Sequence, residues 1–335
     1  MEAIDKKNVE ITVIIPTRNR AVTLGDTLDS IVKQTMDADK FEVIVVDNGS
    51  TDHTRDICES YQRKIANFKY IYDSSPGLHV GRNRGLQESK GNNIVYADDD
   101  IIAFPTWLSA ISRIFAEMPE VVLVGGNNYP KFEGEVPEWL AELWDERDEI
   151  RILSSYSCLE FLGENRYIDP SYVYGCNFAV RKKILLETKG FHPDGMPKEY
   201  LYYRGDGESF VSEFIKRNAY KAYNCNEASV YHRVSGSRMT LQYLDQISFR
   251  KGVSRTYTCI RERSFIYAVI KYFWDFVKPY GWGKGNCSDI IKHNRKIKDK
   301  GVRFYLKSYI TKPQMRKWIK QEDYLGENGR IERLC

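Results

Sequence analysis

The sequence is short of the features that build secreted, membrane-spanning or redox proteins. Its seven cysteines (Cys58, Cys158, Cys176, Cys225, Cys259, Cys287 and Cys335) are odd in number and form no C-x-x-C pair. That argues against a disulfide framework or a thiolate zinc site and points to a reducing compartment. The opening MEAIDKKNVE has no apolar stretch behind its charges, so a signal peptide is not expected. The most apolar late segment, 264–277, is broken by Lys271 and Asp275 and is too short to cross a bilayer. Internal repeats and low-complexity stretches are missing as well. Net charge is small: 50 Lys/Arg against 46 Asp/Glu leave +4, too little for a nucleic-acid packager. These absences lead to the expectation of a cytoplasmic protein.

What is present is a chain of 335 residues, 42% hydrophobic and 29% charged, enough for one large or two ordinary globular domains. The small net charge conceals a division. Residues 233–335 carry 23 basic against 9 acidic side chains, a net +14, which leaves −10 on residues 1–232.

The first half alternates strand and helix. ITVIIP (11–16) is a β-branched apolar run stopped by Pro16, and Leu24, Leu28, Ile31 and Val32 then repeat as a helix face. FEVIVVD (41–47) predicts a second strand, followed by a helix bearing Ile57, Cys58, Tyr61 and Ile65, with Ser50 or Thr51 as its N-cap. FKYIYD (68–73), NIVYADDD (93–100) and VVLVGG (121–126) predict three more strands, with helices between. Crossovers of this length imply an α/β fold with a mostly parallel sheet covered on both faces. Gly125–Trp144 reads as a long irregular connection. Beyond it, strand-to-helix patterns at 172–185, a helix at 208–217 and a strand at 228–233 precede a mainly helical region after Ser237.

In such sheets ligands bind beyond the carboxyl ends of the strands. That rule selects Thr17–Arg20, Asp47, Asp73–Gly77 and Asp98–Asp100. In an extended chain Asp98 and Asp100 project together and Asp99 the other way. Adjacent anions need a counter-charge, which Mg²⁺ or Mn²⁺ supplies; the competing reading is an acidic loop capping the helix at 105–117. An acceptor for a base N–H at Asp47, cations at Arg18, Arg20 and Arg82, and paired carboxylates along one crevice suit a nucleoside diphosphate.

P-T-R-N-R after the first strand, VVDNGSTD, G-x-x-x-G-R-N-x-G-L, the DDD strand end and G-C-N-F-A-V-R resemble family 2 glycosyltransferases of the GT-A fold. The resemblance covers about residues 10–235 and stops before the tail. It implies that Pro16, Thr17, Arg18, Arg20 and Asp47 contact the nucleoside, Asp47 reading the base, with Gly77 and Arg82 beside the nucleotide. It also implies that Asp98 and Asp100 form the D-x-D pair, Asp100 binding Mn²⁺ or Mg²⁺, with His232 completing the metal site. The family usually carries Tyr where Arg18 stands, so guanidinium stacking would replace ring stacking there. UDP is the expected donor nucleotide.

Inverting transfer needs a carboxylate to take the acceptor hydroxyl's proton. GDGESF (205–210) leaves Asp206 and Glu208 as alternatives; the spacing to K-R-N-A-Y-K (216–221) favours Glu208, and Asp206 could instead cap the helix. Trp139 and Trp144 are candidates to stack on an acceptor sugar or, equally, to be core. Acceptor choice is expected to rest on segments 127–171 and 190–205.

The expected layout is a GT-A catalytic domain over 1–237, with a nucleotide-binding half (10–126) and an acceptor half (127–237). A helical basic region (238–335) follows. Three readings of that tail stand: helices packed on the body, nucleic-acid binding, or contact with an anionic membrane at its cytoplasmic face. Nucleic acid is disfavoured by the acidic body; a membrane suits Phe265, Tyr267, Tyr272, Phe273, Trp274 and Phe276 among basic residues. The expected function is an inverting, metal-dependent transfer of a sugar from a nucleotide donor to a glycan or lipid-linked acceptor. A protein acceptor and a non-catalytic nucleotide-sugar-binding scaffold are the alternatives. A dehydrogenase would need G-x-G-x-x-G where the chain has P-T-R-N-R.

Overall fold

The computed structural model describes residues 9–277 and 288–331. The extreme N-terminus, Cys287, Cys335 and the side chain of Phe276 lie outside the described residues. Apolar runs become strands and amphipathic stretches become helices. In chain order the first half reads β1 (Ile11–Thr17), α1 (Ala21–Val32), β2 (Phe41–Asp47), α2 (Thr54–Tyr61), β3 (Phe68–Tyr72) and α3 (Leu78–Glu88). Then come β4 (Asn93–Ala97), β5 (Ile101–Ala103), α4 (Trp107–Glu117), β6 (Val121–Gly125), β7 (Asn128–Glu133) and α5 (Glu138–Ala141). The middle adds β8 (Asp145–Arg147), β9 (Ile150–Leu153), β10 (Cys158–Phe161), β11 (Arg166–Ile168), β12 (Asn177–Arg181) and α6 (Lys182–Glu187). It closes with α7 (Glu208–Arg217), β13 (Lys221–Asn224) and β14 (Val230–Ser235). The tail holds α8 (Leu241–Glu262), α9 (Phe265–Val277), α10 (Asp289–Thr311) and α11 (Pro313–Ile319).

The central sheet has the order β11-β13-β6-β12-β4-β1-β2-β3. Strands β1 to β4 pair in parallel, as the crossovers require, whereas β12 runs antiparallel between β4 and β6. β1 and β2 are buried along their whole length, which explains their unbroken apolar runs. One face packs on α1, α2 and α4, the other on α3, α6 and α7. Helix α3 lies unusually close to β1, because a Cβ on Gly85 would sit 2.4 Å from the Ile14 side chain. Arg82, one turn before Gly85 and on the same side of α3, is drawn into the molecule with it and is buried.

Several expectations are corrected. The 125–144 connection is not irregular: β7 joins a second sheet, of order β5-β14-β7-β10-β9-β8. Pro130 and the charged Lys131 and Glu133 hide its strand pattern. The fourth strand ends at Ala97, not Asp100. Neither Ser50 nor Thr51 caps α2; the Asp52 carboxylate accepts from the Thr54 N–H at 3.1 Å instead. Val32 is exposed rather than part of the buried face of α1.

The tail is fastened to the body. Val253, Tyr257, Tyr305 and Trp318 share a core with Met196 and Tyr203. Trp318 Nε1–H donates to Tyr203 O at 2.8 Å, and Asn83 Nδ2–H donates to Tyr324 O at 3.0 Å. Each such fully buried large side chain contributes roughly 1.5–3 kcal/mol. No helix among the described residues is long and apolar enough to cross a membrane.

Candidate active site

The chain leaves the central sheet for the second one between β4 and β5, and the three aspartates span that crossing. β14 pairs with β5 so that His232 faces Ile101, and the Arg233 N–H donates to Asp100 O at 3.0 Å. This register sets His232 Nε2 3.2 Å from Asp100 Oδ1. The ring's other nitrogen lies 2.8 Å from Tyr156 O, which can only accept, so Nδ1 carries a proton and Nε2 faces the carboxylates. Ligand atoms of Asp98, Asp100 and His232 all fall within 4.8 Å of one another. Asp100 Oδ1 is buried without a well-aligned hydrogen bond, as expected of an atom set aside for a cation. Two carboxylates and an imidazole are a donor set that Mn²⁺ or Mg²⁺ accepts.

The local charges interlock. Burial pushes Asp100 up, but His232 and Arg238, whose Nη1 lies 3.1 Å from Oδ2, outweigh it and hold the carboxyl down. Burial opposes a charged His232, yet Asp100 keeps it up at about 10. Asp98 is pushed up by burial and by Asp100. Asp99 points the other way, toward β1, where Thr17 Oγ1–H donates to it at 2.6 Å; burial and Asp100 raise it to about 7.

Arg82 is the hub between the two clusters. Its guanidinium lies 3.0 Å from Glu208, 3.2 Å from Asp194 and 4.0 Å from Asp98. Glu208 opens α7, and its carboxylate is held below the usual range because Arg82 overrides the opposing effect of burial. Glu208 keeps 31% of its side chain exposed, so it meets the cleft as an anion. Asp194 is more enclosed, and burial raises it to about 6 against the pull of Arg82. Asp206 lies apart. Its Oδ1 is 2.8 Å from His192 Nδ1 and its Oδ2 accepts from Thr258 Oγ1 at 2.7 Å, so one oxygen ties the start of α7 to the 190–205 segment and the other to the tail.

At the donor end, Asp47 terminates β2 with both oxygens engaged, by the Ser50 N–H at 2.7 Å and the Tyr70 hydroxyl at 2.8 Å. Pro16 and Thr17 end β1 alongside it, while Arg18 and Arg20 are exposed and enter no ion pair among the described residues. Gly77 precedes α3 at φ +119°, where a Cβ would lie 2.6 Å from the His79 ring. Trp139 and Trp144 are half-buried against Leu140, Leu153 and Tyr156, and the Arg151 guanidinium lies 4.8 Å from the Trp144 ring. Asp194, His192, Thr258 and Arg238 were not among the sequence candidates. The only signal for the first two is the H-P-D-G turn inside 190–205.

A family model described as Glycosyl transferase family 2 matches residues 12–188, more than half of the chain. The chain belongs to glycosyl transferase family 2. It is 34% identical over 118 residues to validoxylamine A glucosyltransferase of Streptomyces hygroscopicus subsp. jinggangensis, covering 34% of this chain and 28% of that protein. Chondroitin synthase of Escherichia coli matches over 281 residues at 32% identity, covering 70% of this chain and 38% of that protein. The chain thus spans well under half the length of these curated relatives. In fold it is similar to a mannosyltransferase from Pyrobaculum calidifontis solved with GDP-Man and Mn²⁺: TM-score 0.52 and 17% identity, over 90% of this chain and 73% of that one. It is likewise similar to S. aureus TarS 1–349 solved with UDP-GlcNAc: TM-score 0.53 and 16% identity, over 90% and 92%. The fold is therefore GT-A with a helical C-terminal extension.

Proposed function

We propose that this family 2 chain transfers a sugar, with inversion, from a nucleotide-diphosphate sugar, UDP being the expected nucleotide, to a hydroxyl of a glycan or lipid-linked acceptor. The observation that carries the reading is Glu208, an ionised carboxylate at the mouth of a cleft and joined through Arg82 to Asp98. As the acceptor oxygen bonds to the anomeric carbon and the bond to the diphosphate breaks, the hydroxyl proton passes to Glu208. Asp98, Asp100 and His232 would hold Mn²⁺ or Mg²⁺, which when bound offsets the charge of the departing diphosphate. Asp47 and the Pro16–Arg20 turn would receive the nucleoside. The solved neighbours with nucleotide sugars, one also with Mn²⁺, support this arrangement.

For the setting, α9 leaves Ile266, Tyr267, Ile270, Phe273 and Trp274 exposed along one face of a basic tail. That face supports docking on an anionic membrane, where a lipid-linked acceptor resides. Release of nucleoside diphosphate from a panel of UDP-, GDP- and dTDP-sugars, with and without Mn²⁺, tests the activity. Full turnover by both Asp100→Ala and Glu208→Ala would refute the site.

A further inference from the structure

Two clefts merge on the tail side of Glu208. One, of about 600 Å³, runs from Asp194 and Glu208 along α8. The other, of about 650 Å³, continues between α8, α9 and α10 beneath the β8–β9 hairpin. Ser154, Ser155, Lys251 and Arg255 line both, so the two form one passage. Helical spacing puts Arg250, Lys251, Ser254, Arg255 and Thr258 on the same face of α8, toward this space. α10 is drawn against α8 at two glycines: a Cβ on Gly252 would lie 2.1 Å from Lys298 O, and one on Gly301 would lie 2.1 Å from Phe249 O. That contact brings Lys298 beside Lys251.

Three of the cations here, Arg250, Lys251 and Lys298, have no ion-pair partner at contact distance among the described residues. Lys251 and Lys298 are half-buried, and among the described residues Lys251 Nζ donates to Ser154 Oγ at 3.0 Å and Ser155 Oγ at 3.4 Å alone. Several acids on the same walls are paired with other cations, Asp275 with Arg255, Asp145 with Arg147, Asp169 with Lys216 and Glu213 with Arg217. Asp299 of α10 attracts Lys298 without reaching Lys251. Burial and Lys298 together hold Lys251 down at about 8. A partly desolvated cation such as Lys251, beside another lysine and contacted only by hydroxyls, is stabilised when an anion joins it.

We infer that this passage is an acceptor subsite for a phosphate group, with Arg250, Lys251 and Lys298 gripping it while the acceptor hydroxyl lies at Glu208. The inference rests on the transfer proposed above. The phosphate has two conceivable sources: the diphosphate of a lipid-linked acceptor, whose chain would run out beside Ala268 and Tyr272 of α9, or a phosphodiester of a soluble glycan.

Calorimetric titration of the full chain in EDTA, with inorganic pyrophosphate and with farnesyl diphosphate, tests this. Both probes should bind the wild type, and Arg250→Gln/Lys251→Gln should weaken both by about tenfold or more, the scale of losing a charge-assisted hydrogen bond. Lys298→Gln should weaken them several-fold. Tighter binding of farnesyl diphosphate than of pyrophosphate points to the lipid source; equal binding points to the soluble one. Wild-type affinity in both variants, with folding verified by circular dichroism, overturns the subsite, as does failure of either probe to bind. Binding of UDP and GDP to the wild type with Mn²⁺ is read separately, so loss of the donor reading is distinguishable from loss of the anion site.

Discussion

Arg82, only 3% exposed, places its guanidinium 3.0 Å from Glu208 and thereby sets the charge of the candidate base from beneath it. Because the depressed Glu208 carboxyl comes from this pairing, Arg82→Gln should raise it and shift the acidic limb of the pH–turnover profile to higher pH. An unshifted limb would separate Arg82 from the base.

The same pair contributes to stability with a defined sign. Glu208 titrates lower in the folded chain than unfolded, so its contribution is present above the ordinary glutamate range and fades as the pH falls through the folded value. Arg82→Gln also strands Asp194. The expected cost is about 3 kcal/mol in urea unfolding at neutral pH, the low end for breaking a buried pair, since Glu208 stays partly solvated. This cost should shrink in acid.

Glu208 and Asp206, two residues apart, should fail differently. Glu208→Gln keeps the shape and removes the proton acceptor, so turnover should drop roughly 10²–10⁴-fold while nucleotide binding survives. Asp206→Asn instead weakens the ties to His192 and Thr258 and should lower stability by about 1–3 kcal/mol. Turnover measured beside the melting temperature separates the two. A catalytic collapse in Asp206→Asn at unchanged stability would reverse their roles.

Strand ends such as Pro16 and Asp47 were legible because fully buried parallel strands write themselves as unbroken apolar runs. The aspartate triplet was legible as a local motif and His232 only through the family resemblance, and their meeting depends on the β5–β14 register, which no local pattern encodes. Asp194 was not legible. It meets Arg82 across 112 positions of sequence, and a lone Asp in an H-P-D-G turn reads as a turn former. Strand β7 was missed because Pro130 and its charges break the alternation, and Arg238 because a tail outside the family motifs supplies it.

The candidate metal site makes its own prediction. Asp100→Asn removes an anionic ligand and should weaken Mn²⁺ binding by about 100-fold, at or beyond the roughly 10–100-fold typical of losing an outer hydrogen-bonding partner. Paramagnetic resonance of free Mn²⁺ reads this directly. Equal affinity in Asp100→Asn and the wild type would return the triplet to its alternative role as an acidic loop.

Gly252 decides whether the helical tail is built by close contact or by propensity. In an exposed helix, replacing glycine by alanine is worth a gain of about 1 kcal/mol. Here the new methyl would stand 2.1 Å from the Lys298 carbonyl, a backbone atom that cannot step aside alone, so α8 and α10 must separate. The core of Val253, Tyr257, Tyr305 and Trp318 would loosen with them. Overpacking of this kind costs about 1–3 kcal/mol, so the net effect of Gly252→Ala should be destabilising despite the favourable propensity. Denaturant unfolding gives the sign. A stabilised Gly252→Ala would mean that the two helices do not touch there, and that Lys251 and Lys298 are not held together.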